Sequence, residues 1–117
     1  TTNGRTAILQ VSGVSNILQI FAGASHSLLR RSDGAVLAFG SNGSGQLGDG
    51  TNADKTTAVV IGGLGSAAAV SAGANYSLVL RPNANVYSFG TNWSGQLGIG
   101  SFNAGSNTPQ LVTPSWP

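Results

Sequence analysis

Few side chains in this sequence can do chemistry. His26 is the single histidine; Ser25 and Ser27 flank it and Asp33 follows on the same stretch. These types compose a nucleophile, a base and an orienting acid on paper. Consecutive strand residues point to opposite faces, so Ser27 and His26 diverge and no triad geometry is implied. Asp49 and Asp54 share a loop with Asn52, an oxygen set for a weak calcium site. The positions fifty residues later hold Ile99 and Ala104, so solvated loop charges are the simpler expectation. The stretch GSGQLGDG, residues 43–50, has the glycine density of a phosphate cradle but lacks the following Lys and Ser/Thr, and no helix opens after it. One imidazole without Cys or Glu makes no metal site. The expectation is a protein without catalytic residues, metal or cofactor.

Composition narrows the class further. The chain has 117 residues, about one domain, with 18 Gly and only 7% charged residues. Arg5, Arg30, Arg31, Lys55 and Arg81 stand against Asp33, Asp49 and Asp54, a net charge of +2 that forms no block. That is no footprint for nucleic acid. No apolar run reaches the roughly 18–20 residues of a membrane-spanning helix. A surface of Ser, Thr, Asn and Gly with so few charges suits an extracellular or cell-surface protein. The chain does not begin with Met and no signal peptide precedes Thr1, which suggests a processed chain or a piece of a longer one.

What positions these residues is a repeat. Residues 21–50 overlay residues 71–100 without a gap, with sixteen identities in thirty positions. Such a period signals stacked structural units. The register runs on weakly at both ends, giving units of about 7–56 and 57–107, with 108–117 as the start of a third unit or an exchange strand. Each unit carries four short apolar runs: ILQIFA, HSLLR, AVLAF and AVVI in the first, AAAVSA, YSLVL, VYSF and QLV in the second. Apolar on both faces and closely spaced, they predict antiparallel strands of β-propeller blades, covered on both sides by neighbours. Asp33-Gly34 predicts a two-residue hairpin turn with positive φ at both residues. Pro82-Asn83-Ala84-Asn85 predicts a turn of a different type. The duplicated loops, with Gly45, Gln46, Leu47, Gly48 and their copies Gly95, Gln96, Leu97, Gly98, read as structural corners. The glycines allow tight turns, the leucines plug the blade interface, and the amides satisfy loop backbone groups.

AGASHSLLRRSDGAVLAFGSNGSGQLGDGT resembles a repeat of the regulator of chromosome condensation family, on Gly23, His26, Ser27, Asp33, Gly34, Val36, Gly40, Asn42, Gly45, Gln46, Leu47 and Gly48. The second unit keeps Gly73, Ser77, Leu78, Val86, Gly90, Asn92, Gly95, Gln96, Leu97 and Gly98, and departs at Tyr76 and at Asn83-Ala84. The resemblance implies an all-β propeller, usually of seven blades, acting through its rim loops. It also implies that His26 is structural, hydrogen-bonding within its blade. Members that exchange nucleotide on a small GTPase or inhibit β-lactamases use rim residues that do not match here one by one.

Trp93, Phe102 and Trp116 are aromatics in loops or the tail, candidates for an interface. Asn42, Asn75 and Asn92 each begin a glycosylation pattern. Two blades cannot close a ring, and neither unit carries a polar cap. The faces must be completed by other copies of the chain or by missing repeats. Three copies would close six blades, and a contact that fails to close would give a filament. Strand exchange through RTAILQV or TPQLVTPSWP would strengthen either. The expected function is a non-catalytic, extracellular self-assembly module; the alternative is a protein-binding propeller fragment, acting as recognition, inhibitor or exchange-factor domain.

Overall fold

A computed structural model describes Gly4 and residues 7–113 of the chain. Eight strands form two four-stranded sheets, each a simple antiparallel meander. The first holds β1 (Ile17–Ala22), β2 (His26–Arg31), β3 (Val36–Gly40) and β4 (Lys55–Val60). The second holds β5 (Ala69–Ala72), β6 (Tyr76–Leu80), β7 (Val86–Asn92) and β8 (Asn103–Leu111).

The core lies between the sheets. Leu28, Val36 and Ala38 of the first sheet and Leu47 of its long loop meet Val70, Val79 and Phe89 of the second. Ile61, Leu64 and Ala67, in the segment joining the sheets, complete the cluster. Strand alternation explains the division. His26 and Leu28 face the second sheet, while Ser27 and Leu29 face the opposite, open side, where they line a cavity. Burial of large apolar side chains such as Phe89 and Leu47, both 0% exposed, supplies about 1.5–3 kcal/mol each. That contribution belongs to the junction, not to either sheet alone.

The blades run 17–60 and 69–111. The run QLV, expected as the fourth strand of the second unit, lies at the end of β8, where Tyr87 partners Leu111 and Ser88 partners Gln110. The structure corrects the hairpins. Both hairpins are of one type, and neither is the two-residue form. Gly34 N donates to Arg31 O and Arg31 N to Ala35 O, both 2.9 Å. Of Asp33 and Gly34, only Gly34 has positive φ, at +86°. This is a type I turn closed by a left-handed residue. The second hairpin repeats it, with Arg81 N to Asn85 O at 2.9 Å and Ala84 N to Arg81 O at 3.0 Å, so Ala84 is forced to φ +69°. Glycine also permits close approach at Gly40 and Gly90, where β-bulges shift the register; a Cβ on Gly40 would lie 2.7 Å from Ser25 O.

Candidate functional site

The junction between the blades is held by one polar chain inside the apolar core. His26, at the start of β2, is 3% exposed. Its Nε2 lies 2.9 Å from Ser77 Oγ on β6 of the other blade. Ser77 donates its hydroxyl proton to Gln46 O, 2.8 Å away, in the long loop of the first blade. With that proton committed, Ser77 accepts from His26, which fixes the Nε2–H tautomer. Nδ1 is left buried without a partner among the described residues. Burial disfavours the charged imidazolium and holds the His26 pKa below its ordinary 6.5. The histidine therefore bonds across the junction, not within its blade as expected. Gly23 makes room for the ring: a Cβ there would meet His26 Cε1 and the Gly73 carbonyl.

The proton order is the reverse of what a nucleophilic serine needs, since the imidazole donates to the hydroxyl. Nor does the Ser–His–Asp set of the sequence assemble. Asp33 sits on the hairpin, paired with Arg31 at 2.9 Å and accepting Ala35 N–H at 3.0 Å.

The duplicated loops hold themselves closed. Asn42, fully buried, accepts Leu47 N–H at 3.0 Å and donates to Thr51 O at 2.8 Å and Ala53 O at 3.0 Å. Asn92 does the same with Leu97 N–H at 3.0 Å and Ser101 O at 2.9 Å. Gln46 and Gln96 turn inward to accept Ser44 N–H and Ser94 N–H at 3.0 and 2.8 Å. The amide nitrogens of Asn42 and Asn92 are thus buried and bonded, and neither can carry a glycan in this fold, a correction to the glycosylation pattern. Asn75 is exposed. The acids serve the same loop. Asp54 accepts Asn42 N–H at 2.7 Å, and Asp49 accepts the Thr51 N–H and hydroxyl at 3.0 and 2.8 Å. Burial alone would raise the Asp49 carboxyl. The Thr51 and Asn42 hydrogen bonds, with Lys55 at 3.8 Å, outweigh it and hold the group below the usual carboxylate range.

Beyond the junction, each blade has a bare side. A cavity on the open face of the first blade is lined by Val11, Ile20, Ala22, Ser27, Leu29 and Phe39, among others. Fifty residues on stand Ile61, Val70, Ala72, Ser77, Val79 and Phe89, the second blade's half of the filled junction. The open face thus has the composition and placement of a junction half without its mate. On the second blade Tyr76 takes the place of His26, with Leu78 and Leu80 on the same side of the strand.

Trp93 and Phe102 are 70% and 78% exposed, at the loop end of the second blade. Trp116 lies outside the described residues. Sequence reasoning did not single out Ser77 as a junction residue. Its signal was the identity of Ser27 and Ser77 in the overlay. It read Asn52 only as an oxygen donor beside Asp49 and Asp54, and it missed Ser106 and Asn107, which meet Asn52 only through the contact of loop and β8.

Two models of the regulator of chromosome condensation (RCC1) repeat match, on residues 17–46 and 33–80. No curated protein matches the chain. Among solved structures it is similar to yeast RCC1 (Prp20) in a complex with Kap60, with 20% identity and a TM-score of 0.81 over 90% of this chain and 27% of that one. It is similar to human WBSCR16, with 20% identity and a TM-score of 0.83 over 95% and 29%. Prp20p from Saccharomyces cerevisiae, in a structure concerned with its binding to Gsp1p and histones, gives 22% identity and 0.75 over 92% and 28%. The chain spans under a third of the length of each of these relatives. Repeat models on the residues that build the first blade and the junction, and a shared arrangement of two meander sheets, lead to one assignment: the chain belongs to the regulator of chromosome condensation repeat family, as two adjacent blades of a β-propeller.

Proposed function

We propose that the chain is a non-catalytic protein-interaction module whose bare faces are covered by further blades, supplied by other copies of itself. The observation that carries this reading is the correspondence between the open face, with Ile20, Ser27, Leu29 and Phe39, and the buried half-junction of Val70, Ser77, Val79 and Phe89. A surface of that composition is already complementary to something the chain contains, the opposite side of its own blades. Head-to-tail stacking follows, as a closed ring or an open filament. The sparse charge of the surface supports an extracellular setting and favours close packing of copies.

Light scattering and electron microscopy of the purified chain test this. Concentration-dependent multimers that Ile20→Asp abolishes, with the sheets retained by circular dichroism, are expected, since Ile20 is 71% exposed on that face. A folded monomer at high concentration would overturn self-assembly. An unfolded chain that folds when joined to additional repeats would assign the faces to missing blades of a longer propeller instead.

Exposed Phe102 and Trp93 favour a second reading, a propeller fragment that recognises a protein through its rim. Yeast RCC1 (Prp20) binds Kap60, and Prp20p binds Gsp1p and histones. A specific partner that binds the chain and is lost with Phe102→Ala would support it.

A further inference from the structure

At the rim, the long loop of the first blade and the last strand of the second enclose a cleft of about 460 Å³. Its walls are Ser44 and Asn52 on one side and Thr91, Trp93, Ser106 and Asn107 on the other. We propose that this cleft binds a neutral saccharide, stacked on Trp93 and hydrogen-bonded by the Asn52–Asn107 pair.

Four features of the cleft lead there. First, none of its lining residues is charged. Anionic and cationic ligands thus lack a counter-charge, and a ligand rich in hydroxyls is the chemical match for amides and alcohols. Second, Trp93 presents its indole at 70% exposure beside those polar groups. A flat aromatic face takes the C–H face of a pyranose ring, while the ring's edge hydroxyls reach the surrounding donors and acceptors. Third, the polar wall is pre-set. Asn107 donates Nδ2 to Asn52 Oδ1 at 2.8 Å, and Asn52 donates Nδ2 to Gly43 O at 3.1 Å. Both amides are oriented before any ligand arrives, and each keeps capacity: Asn107 its carbonyl oxygen, Asn52 its second N–H. The loop itself is pinned, because Gly50 N donates to Asn107 O at 2.8 Å and a Cβ on Gly45 would lie 2.7 Å from Asn107 Cα. Pre-organisation lowers the cost of binding a small ligand. Fourth, the volume is that of a small-molecule site of about 300–1,000 Å³.

The site belongs to this junction and is not a feature of the repeat. Where the second loop has Trp93, the first has Gly43, which forms part of the opposite wall. The inference does not depend on self-assembly, because every wall comes from one chain.

The test is titration calorimetry, with tryptophan fluorescence, on the whole chain. The probes are neutral tetrasaccharides (cello-, N-acetylchito-, malto-, manno- and xylo-) at up to about 10 mM, with tetragalacturonate as the acidic control; a millimolar site corresponds to about 4 kcal/mol. At least one neutral probe is expected to bind, with the acidic control inert. Trp93→Ala should weaken binding at least about tenfold, Trp93→Tyr should restore most of it, and Asn107→Ala should weaken it several-fold. Trp93 is exposed, so its variants should keep the circular dichroism spectrum and melting temperature. Three outcomes would overturn the proposal: no neutral probe binding, binding indifferent to Trp93→Ala, or tetragalacturonate binding as tightly as any neutral probe. A protein partner that occupies the cleft while all neutral probes fail would assign it to the rim-recognition reading.

Discussion

The two blades share strand order, hairpin type and loop hydrogen bonds, yet they fill opposite sides. The first buries the side that carries His26, Leu28 and Val36 and leaves Ile20 71% exposed on the opposite side, beside Ser27 and Phe39. The second buries Val70, Ser77 and Val79 and turns Tyr76 and Leu80 outward. Position within a repeat therefore does not decide burial. Position relative to the neighbour does, as nearest-neighbour stabilisation in a stacked array requires.

Paired substitutions test that contrast most sharply. Phe89 is 0% exposed in the junction, and Phe39, its counterpart, lines the open cavity. Phe89→Ala should cost about 3–5 kcal/mol, a large share of a small domain's stability. Phe39→Ala should cost under about 1 kcal/mol in dilute monomer, both read from urea unfolding. Equal costs would mean that the open face is covered. If copies stack, the Phe39 effect should grow with protein concentration.

The serine pair gives the next contrast. Ser77→Ala removes the link between His26 and Gln46 O and strands both buried groups, at a cost of about 1–3 kcal/mol. Ser27→Ala should be nearly silent. A difference below about 0.5 kcal/mol would show that the junction's polar chain is dispensable.

Protonation separates the blades next, since only the first carries a histidine. The folded pKa of His26 lies below its ordinary 6.5. The unfolded chain therefore takes up the proton first as pH falls. The stabilisation is present above about pH 6.5 and is lost as pH drops below it, at up to about 1.4 kcal/mol per pH unit until the folded value is reached. Denaturant midpoints measured between pH 7.5 and 5 should show this decline. His26→Gln, which keeps a donor for Ser77, should flatten it; an unchanged slope would place the titration elsewhere.

The smallest effect concerns the hairpins. Ala84 holds φ +69° where the first blade has Gly34 at +86°. Ala84→Gly should stabilise by about 0.5–1 kcal/mol, since the left-handed strain exceeds glycine's entropic cost. Gly34→Ala should destabilise, with strain added to a contact 2.7 Å from Ser66 Cβ. A rise in thermal midpoint for the first and a fall for the second would confirm that one turn type serves both.

These comparisons also show how far the sequence could be read. The overlay of 21–50 on 71–100 exposes the two meanders, because recurring Gly, Asn, Gln and Leu each meet a local demand of turn or loop. The fourth strand of the second blade was only partly legible. NAGSNTPQL has little intrinsic strand preference, and its pairing depends on Gly105 fitting against Gly90. The first hairpin was misread because Asp33-Gly34 also suits a type I turn closed by a left-handed glycine, and the second because Ala84 accepts a geometry its side chain disfavours. The direction of His26 was hidden for a further reason. Its partner lies fifty-one positions away, in the next copy, and no spacing rule within a unit points there.

That last separation bears on how such chains diverge. A duplication copies a passage of text whole, but the contact made by His26 is answered by the following copy's serine and not by any residue of its own. A change at position 26 is therefore first felt at position 77, and repair comes from there. The duplicated unit and the unit that the contact stabilises are thus offset from one another along the chain.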